Sequence, residues 1–103
     1  MPRWVEAVPV ASIEEEDLVR FDHGGRTYVV VRTGGEVYAL DGLCTHEAAH
    51  LAEGVVNGHV LECPKHSGRF DVRSGHALRV PARSPLRTYA TKIERGLIYV
   101  DLG

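Results

Sequence analysis

Long apolar runs are missing from this 103-residue sequence. None approaches the roughly 18 residues that a membrane span requires, which excludes a membrane-spanning helix. Cysteine is scarce: Cys44 and Cys63 are the two in the chain, so it can form one disulfide at most. The stretch from Met1 to Asp17 ends in Glu14, Glu15, Glu16 and Asp17 and lacks the basic and apolar regions of an export signal. The expected compartment is therefore the cytoplasm, where reducing conditions disfavour a disulfide and the cysteines read as metal ligands or buried thiols. An excess of positive charge is also lacking, since 12 Lys plus Arg oppose 14 Asp plus Glu for a net charge of −2. With no known DNA-binding helix and no aromatic RNA motif, nucleic acid is not an expected partner.

Sustained helical periodicity is the next absence, and what replaces it is strand-like alternation punctuated by glycine turns. Strands are expected at 4–8, 18–22, 27–32 and 36–40, with turns at His23-Gly24-Gly25 and Gly34-Gly35. Ser12 and Glu15 have capping-box spacing, but no sustained apolar stripe follows them, so a turn, or at most one helical turn, is expected there. Residues 41–54 break the pattern and read as a loop. A hairpin follows, with Val55 and Val56 joined to 59–63 through a type I′ turn at Asn57-Gly58. A second irregular loop covers 64–69, and further strands are expected at 70–72, 77–80, 86–94 and 97–101. The fold class is all-β, in one domain.

Each irregular loop carries a Cys and a His. Cys44, Thr45 and His46 give C-x-H, and after sixteen intervening residues Cys63, Pro64, Lys65 and His66 give C-x-x-H. Two thiolates and two imidazoles are the Rieske 2Fe-2S ligand set, in which two His replace two Cys on one iron. On these residues the sequence resembles a Rieske-type ferredoxin of bacterial aromatic ring-hydroxylating dioxygenase systems. The resemblance extends to Gly42 and Gly54 around the first box, Gly68 and Phe70 after the second, and the proline-bearing stretch from Pro81 to Pro85. It implies antiparallel sheets with an inserted cluster-binding subdomain: a base built from 1–42 and 70–103, and a cluster subdomain at 43–69. It further implies one Rieske-type 2Fe-2S cluster, with Cys44 and Cys63 on the inner iron and His46 and His66 on the outer one. No catalytic residue is expected. The resemblance makes the chain an electron carrier of aromatic hydrocarbon catabolism rather than an enzyme. It would be a monomer that docks transiently with a flavin-dependent ferredoxin reductase and with the terminal oxygenase.

Soft thiolates suit iron–sulfur chemistry, and neutral imidazoles lower the negative charge on the cluster, which eases addition of an electron. Relatives from respiratory complexes carry a further Cys in each box, joined in a disulfide, where this chain has Ala49 and Lys65. They also donate hydroxyl hydrogen bonds to the cluster from a Ser and a Tyr, where this chain has Gly68 and Phe70. Without those bonds a low potential is expected for the class. Phe70 is expected to shield the cluster from water, while Trp4, Tyr28, Tyr38, Tyr89 and Tyr99 read as strand and core packing.

Other readings of the same residues remain open at this level. The four side chains could hold zinc as a structural Cys2His2 module, although C-x-H is an uncommon zinc spacing. A Rieske small subunit of an assimilatory nitrite reductase would keep the same ligands. His46, Glu47 and His50 match H-E-x-x-H, but that motif needs both His on one helix face, and here glycines flank a Cys-bearing loop. His50 reads instead as a surface group near the cluster, and His23, His59 and His76 as solvated. The second half of the chain is the positive one: Lys65, Arg69, Arg73, Arg79, Arg83 and Arg87 are opposed by Asp71 alone between 65 and 87. That stretch is a candidate docking face.

Overall fold

The computed structural model describes residues 1–44, 49–65, 68–79 and 84–103. Its elements run β1 (Trp4–Pro9), the 3₁₀ turn η1 (Val10–Ser12), β2 (Asp17–His23), β3 (Arg26–Thr33), β4 (Glu36–Asp41) and a second 3₁₀ turn, η2 (Leu51–Glu53). They continue through β5 (Val55–Asn57), β6 (Val60–Glu62), β7 (Arg69–Asp71), β8 (Ala77–Arg79), β9 (Thr88–Tyr89), β10 (Thr91–Glu94) and β11 (Leu97–Asp101). These strands form three antiparallel sheets, ordered β1-β11-β10, β2-β3-β4-β9 and β5-β6-β7-β8. No helix among the described residues is long and apolar enough to cross a membrane.

Turn chemistry fixes the registers. His23 pairs with Arg26 and Thr33 with Glu36, leaving two-residue loops in which Gly24, Gly25, Gly34 and Gly35 all have positive φ, as a type I′ turn requires. The expected turn at Asn57-Gly58 is shifted by one residue. Asn57 pairs with Val60, so Gly58 and His59 form the loop, and Gly58 (φ 60°) takes the positive-φ first position of a type II′ turn. The acidic run also has a structural use. Glu15 accepts from the amides of Gly34 (2.7 Å) and Gly35 (3.2 Å), and Glu16 accepts from Gly58 (2.8 Å), tying turns of two different sheets to one segment.

The single strand expected at 86–94 is two. β9 pairs with β4, whereas β10 pairs with β11 in another sheet. Between them the Ala90 carbonyl accepts from the Asp101 amide, and Thr91 Oγ1 donates to the Val37 carbonyl at 3.0 Å. Side-chain and cross-sheet bonds thus replace the ladder where the chain changes sheets, which local alternation does not encode.

β3 is the centre of the packing. Val29, Val30 and Val31 are all fully buried, and because successive side chains point to opposite faces they enter two cores. Val30 joins Ile13, Val37, Ala39, Ile98 and Val100. Val29 and Val31 face the third sheet with Leu40, Leu51, Leu61, Phe70 and Val72. Trp4, by contrast, lies on the surface with Lys92 Nζ 4.7 Å over its ring, so it is not a core residue.

One glycine sets how the third sheet meets the preceding loop. A Cβ on Gly54 would lie 2.0 Å from the Glu62 carbonyl oxygen, a backbone atom that cannot swing aside. Gly54→Ala is expected to cost upward of about 3 kcal/mol in thermal or denaturant unfolding. Gly58→Ala, with nothing within 4 Å but a left-handed φ, should cost about 1 kcal/mol. Equal stabilities for the two variants would contradict the close approach.

Candidate metal centre

The first candidate box begins where β4 ends. Gly42 donates to the Thr27 carbonyl (3.0 Å) and accepts from the Leu51 amide (2.8 Å), Leu43 and His50 form an isolated bridge, and the Cys44 amide donates to the Ala49 carbonyl (3.0 Å). The base of this loop is therefore a short antiparallel ladder. Gly42 is required there, since a Cβ would come within 2.9 Å of His50 Nε2 and 3.0 Å of the Tyr28 amide nitrogen.

The second box sits at the end of the β6–β7 pair. Glu62 pairs with Arg69, and one step beyond it the Cys63 amide donates to the Gly68 carbonyl at 2.7 Å. The two loops are closed in the same way: each cysteine binds, through its own amide, the carbonyl five residues later. Gly54 brings them side by side, because its contact with the Glu62 carbonyl packs the return of the first loop on the start of the second.

Both cysteines are buried, at 7% exposure for Cys44 and 2% for Cys63, and they share one apolar cluster with Leu51, Leu61, Phe70, Val72 and Leu86. They are thiols rather than a disulfide. Buried sulfur donors at the end of an apolar core fit an iron–sulfur centre, which takes soft anionic ligands and has its potential set in part by exclusion of water. Phe70 is fully buried in that apolar cluster. His46, Glu47 and His66 lie outside the described residues, as do Pro81 and Arg83. Among the described residues no group of three or more His, Cys, Asp or Glu is gathered as a metal site.

His50 is where the sequence reading missed most. Its backbone is extended (φ −79°, ψ 126°), so the second His of the H-E-x-x-H match is not on a helix and the zinc-protease geometry is not available to it. Its ring is engaged at both nitrogens. Nδ1 accepts from the Ala52 amide at 3.1 Å, and Nε2 lies 2.7 Å from Thr27 Oγ1. Thr27 Oγ1 in turn donates to Asp22 Oδ1 at 2.5 Å. Burial is the main cause that pushes the His50 pKa down, with Arg20 adding to it and Asp22 and Glu53 opposing it. Thr27 is 23 positions away in the chain, and nothing local in the sequence signals the contact.

Behind the first loop, Tyr89 donates to Asp41 Oδ1 at 2.5 Å and meets Tyr28 edge to face at 5.2 Å. Burial, then the bond to Asp41, pushes the Tyr89 pKa up to about 12. In the positive stretch, Arg69 pairs with Glu62 and Arg73 with Asp71, each at 3.0 Å, and the Arg87 guanidinium lies 5.1 Å over the Tyr89 ring. Arg73 holds the Asp71 carboxyl below the usual range. Part of the predicted positive face is thus engaged within the chain.

Comparison with known proteins agrees with this geometry. The Rieske [2Fe-2S] domain family matches residues 3–90. The ferredoxin component of the naphthalene 1,2-dioxygenase system of Pseudomonas putida is 40% identical over 100 residues, 97% of this chain and 96% of that protein. The Sphingomonas yanoikuyae B1 ferredoxin superposes with a TM-score of 0.92 at 33% identity, covering 98% of this chain and 100% of its own. A chain from the complex of reduced oxygenase and oxidized ferredoxin in carbazole 1,9a-dioxygenase gives 0.90 at 31% identity, covering 95% of this chain and 92% of that one. With its two thiol-bearing loops closed alike over a shared apolar core, the chain belongs to the Rieske 2Fe-2S family, and its cofactor is one Rieske-type cluster.

Proposed function

We propose that this protein is the ferredoxin component of an aromatic ring-hydroxylating dioxygenase system, passing single electrons from a flavin-dependent reductase to the terminal oxygenase. The observation that carries the reading is the pair of loops, each opened by a buried cysteine whose amide closes it. When bound, a Rieske cluster supplies a one-electron redox centre. Cys44 and Cys63 are the proposed sulfur ligands and His46 and His66 the proposed imidazole ligands. The cysteines place negative donors in the apolar core, and the neutral imidazoles limit the total negative charge. Phe70, Leu51 and Leu61 exclude water from the sulfur side.

The cluster-binding part is proposed to be 43–69 and the base 1–42 with 70–103. The third sheet, running from Val55 through β7 and β8 to Arg79, joins the two. As a carrier that must leave one partner before meeting the next, the protein is proposed to work as a cytoplasmic monomer with small, polar, short-lived interfaces. Leu43, half exposed beside Cys44, supplies an apolar point for such contact.

Purified protein should be red-brown with two irons and acid-labile sulfide, and should give a Rieske-type paramagnetic signal on reduction with dithionite. Cys63→Ser and His66→Ala should each abolish that signal and electron delivery in a reconstituted reductase–oxygenase assay. A colourless protein with one equivalent of zinc would overturn the reading.

The midpoint potential is expected near the lower end of the roughly −150 to +300 mV Rieske range, because Gly68 and Phe70 offer no side-chain hydroxyl to the cluster. Protein-film voltammetry reads this directly, and Phe70→Tyr should raise the value. A wild-type potential above the middle of the range would contradict the argument.

If the positive stretch at 65–87 guides docking, Arg69→Glu combined with Arg83→Glu should slow electron transfer to at least one partner at low salt. The difference should shrink as ionic strength rises. Rates independent of both the substitution and the salt would remove the docking face.

A further inference from the structure

The hydrogen bonds around His50 form a directed chain. Ala52 N–H is a donor, so Nδ1 must be the accepting nitrogen, and in the neutral ring the proton then sits on Nε2. Nε2–H donates to Thr27 Oγ1, whose own proton goes to Asp22 Oδ1. This chain links η2, the base of the first loop, β3 and β2. The ring packs against Gly42, where a side chain would collide with it, and the His50 backbone is bridged to Leu43, the neighbour of Cys44. His50 thus joins the return of the first loop to the β2–β3 sheet, four positions after His46.

We propose that His50 is a positioning residue for the cluster, holding the first ligand loop against the basal sheet as the neutral Nε2–H tautomer. The proposal rests on the assignment of Cys44 and His46 as ligands. Its chemistry requires the ring to accept at one nitrogen and donate at the other. An imidazolium has two N–H donors, so protonation sets Nδ1–H against the Ala52 amide and breaks one end of the chain. The charged groups facing the ring are Arg20 and Asp22 on β2 and Glu53 in η2, while Thr27 on β3 and Gly42 after β4 are uncharged. Burial outweighs the two carboxylates and depresses the pKa of the ring. The folded loop therefore binds a proton less readily than the opened one, so the contribution is complete above the unfolded His value of about 6.5. It is lost as pH falls through the lower, folded value.

The test uses holoprotein of the wild type and of His50→Ala, His50→Asn and Thr27→Val. Two signals are read: the rate at which visible cluster absorption is lost between pH 5 and 8, and the g-values and line width of the reduced paramagnetic signal. At pH 7.5, His50→Ala should lose its cluster about tenfold faster than wild type, the equivalent of one net hydrogen bond, with a broadened signal. His50→Asn retains an amide oxygen that can accept from Ala52, and should recover much of the difference. Thr27→Val, cutting the other end, should fall between. Wild-type loss should accelerate on acidification through the His50 titration, and His50→Asn should lack that component. If His50→Ala does not fold, the wild-type and His50→Asn acid profiles decide. Matching rates, signals and pH profiles in wild type and variants overturn the proposal, whereas a wild type without iron overturns the ligand assignment instead.

Discussion

The structure depends on burying two sulfur donors at the end of an apolar core. Cys44 and Cys63 share one cluster with Leu51, Leu61 and Phe70, so a cofactor held there as proposed is coupled to the packing of these side chains. The protein supplies the bases of the loops by itself, through the Gly42–Leu51 and Cys44–Ala49 bonds on one side and Cys63–Gly68 on the other. On the proposed ligand assignment, part of the binding energy of the cofactor is folding energy of the segments that these bonds close.

This division suits a carrier. An electron-transfer protein needs no substrate cleft. It needs a redox centre held in fixed geometry, an apolar back wall and a surface that partners can touch and leave. On the proposed ligand assignment the wall is the core shared with β3, and the loop bases are fixed by backbone ladders and by Gly42 and Gly54, where a Cβ would collide with neighbouring atoms. Tyr89, bonded to Asp41 just before Gly42, adds a further brace between β9 and the end of β4.

What the sequence reveals follows from how local the signal is. The glycine pairs at 24–25 and 34–35 announce their turns because both central residues of a two-residue hairpin loop need positive φ. The spacing of Cys44, His46, Cys63 and His66 carries the resemblance from which one Rieske-type cluster is expected, and the family match over residues 3–90 bears the cofactor out. The turn lies at Gly58-His59 rather than at the expected Asn57-Gly58, because the pairing of Asn57 with Val60 fixes the register against the strong local Asn-Gly signal. The break at Ala90, the capping by Glu15 and Glu16 and the engagement of His50 were not legible. Each depends on a partner brought close only by the tertiary fold: Asp101, the turns at 34–35 and 58, and Thr27. The positive stretch shows the converse, since composition counts Arg69 and Arg73 as available charge while the fold spends them on Glu62 and Asp71.

The burial of β3 on both faces has a dynamic corollary. Val30 serves one core and Val29 and Val31 the other, and β2 and β4 flank the strand on either side. Its central amides have no route to solvent through local fraying, so their deuterium exchange should report the opening of the whole domain, while the loop-base amides of Cys44 and Cys63 report sub-global events. The basal framework and the cofactor end thus carry separate clocks within one small chain.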